Sequence, residues 1–389
     1  MQLTTDFVLT RGVAQILPTK KGLADLMTKR KISLYEGFDP TSPSLHIGHL
    51  IGIRKLAQFQ KLGHQVIFLI GDFTGMIGDP SDKSATRQQL THEQMLNNLK
   101  GYKEQVKNII DFEGKNPVKI VFNYDWLSKL TFEDVVKLAS HFTVQQMIER
   151  DFFQERLKTN QPIHLHEFLY PLMQGYDSVP LEVDLEIGGN DQTFNLLAGR
   201  TLLKAYKNKE KFCLTTKLLT DPTGAKMGKT TGNTVNLTDT PEDIFGKIMA
   251  LPDTLLPLGF ELLTDLDLPQ TDPMAAKKTL AFDLVKQLHG STQAQASQKH
   301  FEKTFQQKEP EYKQTVKLQK NLIQTISQIT KSNSESKRLI QQKAVDLNNQ
   351  TVTNFDQPLK IGDKLKIGQK TFVKIIWGSP NASADSLLF

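Results

Sequence analysis

A strand–helix–strand pattern between residues 32 and 70 most constrains the fold of this chain. Residues 32–35 alternate as a strand does, apolar residues from Leu50 to Leu62 recur near helical spacing, and residues 65–70 form a nearly continuous apolar run. A strand that is apolar on both faces is typical of a parallel sheet covered by helices on each side. The sequence therefore predicts an α/β fold built on a Rossmann-like parallel sheet.

The turn between this strand and helix carries the sequence His46-Ile47-Gly48-His49. A helix N-terminus offers unpaired N–H groups and a positive dipole end to a phosphate, and Gly48 leaves room for a nucleotide against the backbone. Each imidazole can donate to phosphate or ribose oxygens, with most benefit as charge builds on a five-coordinate phosphorus. Taken alone, the motif is a weak signal, and a helix-start histidine followed by a partly buried one is the more common explanation.

A second motif, Lys226-Met227-Gly228-Lys229-Thr230, lies about 180 residues further on in a polar loop. Two lysines three positions apart suit a loop that closes over a polyphosphate, although a solvated lysine loop has the same pattern. The two motifs in this order are far more specific than either alone. Together they predict a site for a nucleotide polyphosphate.

A glycine-rich loop at residues 71–80 follows the second strand, and α/β sheets bind ligands at the carboxyl ends of their strands. Asp79 on this loop suits an ammonium group. Lys83 and Arg87 follow at i+4 and i+8, which on a helix places all three on one side. An ordinary capped surface helix is the alternative.

A second glycine-rich turn at residues 188–192 follows a strand predicted over residues 181–187. Its carboxylate, Asp191, suits a sugar hydroxyl, or else a helix N-cap. A further candidate is a polar stripe at i, i+4 and i+7 of one predicted helix, which lines a site or faces water. This stripe consists of Tyr170, Gln174 and Asp177.

The length and composition bound the class of protein. A chain of 389 residues exceeds the usual single core, so we expect two or three domains. No run of about 18 apolar residues is present and residues 1–11 lack the apolar core of a signal peptide, which predicts no membrane segment. One cysteine, Cys213, fits a reducing cytoplasm. His164 and His166 have no metal-ligand set around them, so we expect no metal site in the protein.

The rest of the chain is predicted to be mostly helical until its last part. We expect helical segments over residues 1–30, 91–112, 131–156 and 240–326, the last including an amphipathic stretch from Tyr312, and a serine-rich linker over 327–336. Residues 131–156 carry exposed-looking apolar side chains, including Phe142, Met147, Phe152 and Phe153. The predicted domains are 1–222 (the catalytic sheet with an inserted helical region), 223–326 (the lysine loop and a helical domain) and 337–389 (a small α+β domain).

The last predicted domain is basic, within a chain of net charge +6. A basic helix is followed by short hairpins in which lysines alternate with apolar residues, a pattern that presents one charged face to a phosphate backbone. The candidate RNA-binding residues are Lys337, Arg338, Lys343 and Lys366. A generic basic surface would show the same pattern.

The two motifs and their surroundings resemble the bacterial-type tyrosyl-tRNA synthetases, a family of class I aminoacyl-tRNA synthetases, over nearly the whole chain. The resemblance implies that tyrosine is activated by ATP to tyrosyl-adenylate and then transferred to tRNA(Tyr), with Mg²⁺ bound together with ATP. It also implies a homodimer formed through the helical region after residue 131. The C-terminal residues resemble the small RNA-binding domain that ribosomal small-subunit proteins share with pseudouridine synthases.

The resemblance also assigns roles to residues. The catalytic group would be Thr41, His46, His49, Lys83, Arg87, Lys226 and Lys229. Tyrosine would be bound by Tyr35, Asp79, Tyr170, Gln174, Asp177 and Gln192, with Tyr35 and Asp177 on the phenol. ATP would contact Gly37, Gly189, Asp191 and Met227 together with His46, His49, Lys226 and Lys229.

Three positions depart from the family pattern. Glu36 stands where a small residue is common, Asp82 stands where glycine is usual, and residues 228–230 replace the commoner Ser-Lys-Ser. The nearest rival is the tryptophanyl enzyme of the same fold, against which Tyr35 and Asp177 argue. A nucleotidyltransferase with a lone His-x-Gly-His would be a rival of different chemistry, and a synthetase-like RNA-binding protein would be a rival without catalysis.

Overall fold

A computed structural model of the chain describes residues 3–79, 90–220, 234–306, 312, 314–368 and 371–376. The predicted site residues Lys83, Arg87, Lys226, Met227 and Lys229 therefore lie outside the described residues. The chain divides into two units, Met1–Gln298 and Lys299–Phe389. These two units do not test the predicted boundary between a catalytic and a helical domain at residue 222.

The first unit contains a six-stranded sheet in the order β1-β6-β5-β2-β3-β4. Its strands are β1 (Val13–Leu17), β2 (Ser33–Phe38), β3 (Gln65–Ile70), β4 (Lys119–Phe122), β5 (Leu185–Gly189) and β6 (Phe212–Thr216). All neighbours are parallel except β1, which pairs antiparallel with β6. The predicted Rossmann-like sheet is thereby confirmed.

Helices cover this sheet and continue beyond it. They are α1 (Thr5–Val8), α2 (Lys20–Lys29), α3 (Ile47–Lys61), α4 (Thr74–Ile77), α5 (His92–Leu99), α6 (Tyr102–Val106), α7 (Tyr124–Leu127), α8 (Phe132–Ala139), α9 (Val144–Ile148), α10 (Asp151–Lys158), α11 (Leu169–Leu181), α12 (Thr193–Lys207), α13 (Pro241–Met249), α14 (Leu256–Leu263), α15 (Pro273–His289) and α16 (Ser291–Phe301). Among the helices of the described ranges, none is long and apolar enough to cross a membrane.

Several predicted helices are shorter than the sequence pattern suggested. Residues 131–156 form three helices because Thr143, like Thr131, makes a reciprocal capping box that begins a new helix. Residues 91–112 form two helices that break at Gly101. The prediction of two helical segments before residue 30 missed β1, a short edge strand whose alternation is weak.

The helix α3 is the packing centre of the first unit. It connects β2 to the adjacent parallel strand β3, and its residues Leu50, Ile53, Leu56 and Phe59 have no exposed surface. Each such side chain contributes about 1.5–3 kcal/mol by leaving water. This burial fixes the N-terminus of α3 at the edge of the sheet where β2 ends.

The second unit contains a five-stranded sheet in the order β7-β11-β10-β8-β9. Its strands are β7 (Gln314–Lys317), β8 (Val345–Leu347), β9 (Gln350–Thr351), β10 (Lys364–Ile367) and β11 (Thr371–Ile376), and its helices are α17 (Leu322–Thr330) and α18 (Asn333–Gln341). One face of the sheet shares a core with both helices, including Leu322, Ile326, Ile340, Leu365 and Val373. This is the small α+β architecture predicted for the C-terminal residues.

The predicted linker at residues 327–336 is wrong. Ser336 lies in α18 and is fully buried, and its hydroxyl donates to the carbonyl of Ser332, the N-cap residue of α18. Serine is common both in linkers and at helix starts, so its frequency misled the prediction. The helical prediction from Tyr312 onward also missed β7, whose side chains alternate around the buried Val316.

Candidate active site

The described site residues gather where the parallel strands of the first sheet end. Tyr35 and Gly37 lie in β2, Gly189 ends β5, and Asp191 and Gln192 form the turn that follows. Strand β2 lies between β3 and β5, and the chain leaves it toward β3. The junction of β2 and β5 is therefore a topological switch point, which is where open α/β sheets bind ligands.

The two histidines of the first motif form the start of α3, after a turn that contains Thr41. The Nδ1 atom of His46 accepts the N–H of Gly48 at 3.1 Å, and the Nδ1 atom of His49 accepts the backbone N–H of His46 at 3.1 Å. Their rings stack with centroids 3.8 Å apart. Because both Nδ1 atoms accept, each neutral ring carries its proton on Nε2, where it can donate to an oxyanion.

The chain that follows the lysine motif is anchored on the histidine motif. The N–H of Ile47 donates to the carbonyl of Val235 at 3.0 Å, and the N–H of Leu237 donates to the carbonyl of Leu45 at 2.8 Å. His46 and Asn236 form an antiparallel bridge between these segments. The first residues described after the lysine motif therefore lie beside the N-terminus of α3.

Tyr170 meets a carboxylate that the sequence reasoning left out. Its hydroxyl donates to Oδ2 of Asp39 at 2.8 Å, and the hydroxyl of Thr74 donates to Oδ1 at 2.7 Å. Burial raises the pKa of Asp39 to about 7, against the effect of these two donors. Asp39 directly follows β2, so its place at a strand end was the signal available in the sequence.

A chain of amides connects the predicted ammonium ligands. The Nε2 atom of Gln192 donates to Oδ2 of Asp79 at 2.6 Å. The buried amide of Asn195 donates to Oε1 of Gln192 and to Oε1 of Gln174, both at 2.7 Å. Residues from three separate segments are thus held in one polar group, and Asn195 orients both glutamine oxygens.

Asp177 is buried at the end of the α11 stripe, with 1% of its surface exposed. Its Oδ1 accepts the indole N–H of Trp126 at 2.8 Å, and its Oδ2 accepts the amide of Asn123 at 3.3 Å. Burial raises the pKa of the Asp177 carboxyl, and these two donors oppose that rise. A carboxyl group fixed in this way has lone pairs left for a hydroxyl donor.

Tyr35 is connected through Ser178 to a buried ion pair, Lys211–Glu186. Its hydroxyl lies 2.9 Å from the hydroxyl of Ser178, and the Nζ of Lys211 donates to that same oxygen at 2.7 Å and to Oε2 of Glu186. The side chain of Lys211 is 0% exposed and that of Glu186 is 2% exposed. Removal of either partner would leave the other charge buried and uncompensated, which would destabilise the folded protein around Tyr35 and Ser178.

The ribose side of the site, as the resemblance assigns it, is crowded with carboxylates. A Cβ at Gly189 would lie 2.4 Å from Oδ1 of Asp191, and a Cβ at Gly52 would lie 2.1 Å from Oε1 of Glu36. A side chain at either position would therefore displace the carboxylate beside it. Burial and the charges of Glu186 and Asp191 raise the pKa of Glu36 to about 8, and its Oε2 has no hydrogen-bond partner.

Comparison with known proteins identifies the family of the chain. Residues 27–306 match the family model described as tRNA synthetases class I (W and Y). The chain is 42% identical to the tyrosine–tRNA ligase of Carboxydothermus hydrogenoformans and 40% identical to that of Aquifex aeolicus, in each case over 95% of this chain and 97% or 98% of the relative. The chain belongs to the tyrosine–tRNA ligase family. It is thus a class I aminoacyl-tRNA synthetase by descent, and the resemblance to that family is confirmed.

Solved structures of tyrosyl-tRNA synthetases share the fold. The C-terminally truncated mitochondrial enzyme of Aspergillus nidulans superposes with a TM-score of 0.65 at 22% identity, covering 77% of this chain and 94% of that one. The Archaeoglobus fulgidus enzyme, complexed with L-tyrosine, superposes with a TM-score of 0.59 at 21% identity over 76% of this chain and 98% of that one. At these identities the likeness speaks for the architecture alone.

Proposed function

We propose that this chain attaches tyrosine to tRNA(Tyr) in two steps through tyrosyl-adenylate. The observation that carries the proposal is the buried Asp177, held by Trp126 and Asn123 in the same first-unit site as the paired histidines of α3. Family membership supplies the reaction class, and the buried carboxyl supplies the preference for an amino acid with a phenol.

The first step needs positioning and charge stabilisation more than proton transfer. The tyrosine carboxylate is already ionised, so it attacks the α-phosphate of ATP without a general base. The Nε2–H groups of His46 and His49 would donate to the phosphorane as its charge grows. By the family assignment, Lys226 and Lys229 would stabilise the departing pyrophosphate.

The remaining proposed contacts follow the same family assignments. Lys83 and Arg87 would bind pyrophosphate, Thr41 would bind phosphate, and Gly37, Gly189, Asp191 and Met227 would line the nucleotide. Mg²⁺ would arrive with the ATP phosphates, since this cation keeps several waters and is usually held by one or two carboxylates and a substrate. The described residues contain no group of three candidate metal ligands.

Tyrosine would be selected through the lone pairs of the Asp177 carboxylate that Trp126 and Asn123 leave unused. Phenylalanine lacks the phenol that would donate to this carboxylate, and an unsatisfied buried polar group is costly. Tyrosyl-tRNA synthetases are themselves the reference case, with a rejection of phenylalanine of about 10⁵-fold that we take over from them. Tyr170, Asp79, Gln174 and Gln192 would hold the ammonium group.

We further propose a homodimer formed through the helices after residue 131. Two of the apolar residues predicted to be exposed, Met147 and Phe153, are buried and so cannot form this contact. Other apolar side chains are exposed instead, and these would form the contact. They are Phe132 (84% exposed), Val136 (54%), Val144 (65%) and Leu165 (80%).

The second unit would bind tRNA, in a protein that we place in the cytoplasm. Its small α+β fold and its excess of lysine support this proposal. Of the four predicted RNA-binding residues, Lys337 and Lys343 are exposed. Arg338 donates from Nη1 to Gln342 and from Nη2 to Glu335. The Nζ of Lys366 lies 3.5 Å from Oδ2 of Asp346.

The experiment is tRNA charging by the purified full chain with labelled tyrosine and a tRNA(Tyr) transcript. We compare His46→Asn, which keeps a side-chain oxygen for the helix cap, with the control Lys21→Met, which changes an exposed side chain on α2. We expect charging by the parent and the control, and a loss of about 10²-fold for His46→Asn at an unchanged melting temperature. No charging by the folded parent, or full charging by His46→Asn, contradicts the proposal.

A further inference from the structure

The second sheet packs one face on α17 and α18, and the described side chains on its other face are exposed or partly exposed. Along β10 and β11 the inward residues are Leu365, Ile367, Val373 and Ile375, which belong to the core. The residues between them point the other way, because neighbouring side chains of a strand alternate between faces. We define the lysine face as this second face of β7, β10 and β11.

The lysine face is strongly cationic. It carries Lys317, Lys364, Lys366 and Lys374, of which all but Lys366 are exposed and Lys366 is partly exposed. Within the described strands of this sheet the one acidic residue is Asp346, which lies 3.5 Å from the Nζ of Lys366. The other three lysines form no ion pair with any residue that the structure describes.

The strand register sets two of these lysines directly side by side. Lys364 on β10 is the cross-strand partner of Lys374 on β11, and Thr315 is the next partner along the row. Like charges opposite each other in a sheet are unfavourable on their own. A polyanion laid across this row would remove that cost, whereas a neutral or cationic partner would not.

Two aromatic rings lie on the same face as the lysines. The ring of Tyr312 meets that of Phe372 edge to face at 6.0 Å, and the Nζ of Lys364 lies 5.2 Å from the centre of the Tyr312 ring. Phe372 is the cross-strand partner of Lys366, and both rings keep part of their surface exposed. Aromatic rings among lysines are the pattern by which proteins stack an unpaired base while they hold its phosphates.

We propose that the lysine face binds an unpaired segment of tRNA, with a base against Tyr312 or Phe372 and phosphates on Lys364 and Lys374. The inference rests on the proposed function of the second unit and assigns a face to it. The helix α18, which carries Lys337 and Arg338, is then not the main contact. Arg338 supports this assignment, because its guanidinium is held by Glu335 at 2.7 Å.

The test compares two pairs of lysines in the full chain. Lys364→Gln/Lys374→Gln removes two charges from the lysine face, and Lys337→Gln/Lys343→Gln removes two from α18 and the turn after it. The Kd for a tRNA(Tyr) transcript is measured by filter binding over a range of KCl concentrations. Tyrosine-dependent exchange between ATP and pyrophosphate, without tRNA, reports whether the first unit remains intact in each variant.

We expect the lysine-face pair to weaken tRNA binding at least tenfold and to reduce the slope of log K against log salt by about 1.4, as for two contacts to a single strand. We expect less than a threefold change for the α18 pair. Tyr312→Leu should weaken binding about tenfold at an unchanged salt slope, because stacking is not ionic. Equal losses for the two pairs, or a larger loss for the α18 pair, overturn the assignment of the face.

The outcomes separate this inference from the proposed function. If all variants keep exchange and only the α18 pair loses tRNA affinity, the enzyme assignment stands and the lysine face is wrong. If the parent protein shows no tyrosine-dependent exchange, the proposed function itself fails. A duplex RNA without loops that competes as well as tRNA(Tyr) overturns the preference for an unpaired segment.

Discussion

Replacing Lys211 tests whether its buried ion pair with Glu186 stabilises the first unit. Lys211 and Glu186 are almost wholly removed from water, and Lys211→Met leaves the Glu186 carboxylate without its counter-charge. Removing one partner of such a pair costs about 3–5 kcal/mol. The first unit has 298 residues, and an unfolding entropy of about 2.1 cal/mol/K per residue gives about 0.6 kcal/mol/K. The melting temperature should therefore fall by about 5–8 °C.

The double variant Lys211→Met/Glu186→Leu removes both charges at similar volume. Apolar replacement of a whole buried ion pair is often neutral or stabilising, so the double variant should melt within about 2 °C of the parent protein. Thermal unfolding of the parent, Lys211→Met, Glu186→Leu and the double variant, followed by circular dichroism, gives the four values of a double-mutant cycle. Lys21→Met, on the exposed face of α2, is the control. A double variant that melts as low as Lys211→Met would refute the pairing of these charges.

Three further perturbations test other parts of the site and surface. Because the pKa of Glu36 is raised to about 8, the folded state keeps a proton that the unfolded state has released, so stability falls between about pH 4.5 and pH 8. Relative to the parent, the free energy of unfolding of Glu36→Gln should rise by about 2 kcal/mol between pH 4.5 and pH 8, a value reduced for the partial exposure of Glu36. An equal pH dependence of the two melting temperatures would contradict this. Trp126→Phe removes a hydrogen-bond donor to Asp177 and should raise the KM for tyrosine, measured by exchange between ATP and pyrophosphate, about tenfold. An unchanged KM would show that Asp177 does not need this hydrogen bond. Phe132→Glu places a charge on the exposed helix face and should give a monomer in analytical ultracentrifugation, whereas a dimer would rule out this surface as the contact.

The sequence could predict features that repeat along one element. The helical spacing of Tyr170, Gln174 and Asp177 placed them on α11, and the apolar run of β3 predicted a parallel sheet. The donors to Asp177 could not be found in this way, because Trp126 and Asn123 are 51 and 54 residues away and reach it only through the order of strands.

The burial of Lys211 could not be predicted from its residue type. A lysine next to a strand is usually a surface residue, and only the fold reveals that its ammonium is buried against Glu186 and Ser178. The short edge strand β1 and the serine cap of α18 were missed because local composition does not distinguish them from a loop or a linker. Contacts with distant residues decide whether such segments form a strand or a helix, and the sequence of one segment does not reveal those contacts.

The most direct test of the central claim is amino-acid-dependent exchange between ATP and labelled pyrophosphate without tRNA. Tyrosine, tryptophan and phenylalanine are compared at equal concentrations with the full chain. A site built around the buried Asp177 predicts rapid exchange with tyrosine and, at most, trace exchange with the other two. Exchange with tryptophan at the rate of tyrosine, or exchange with none of the three from folded protein, would contradict the account.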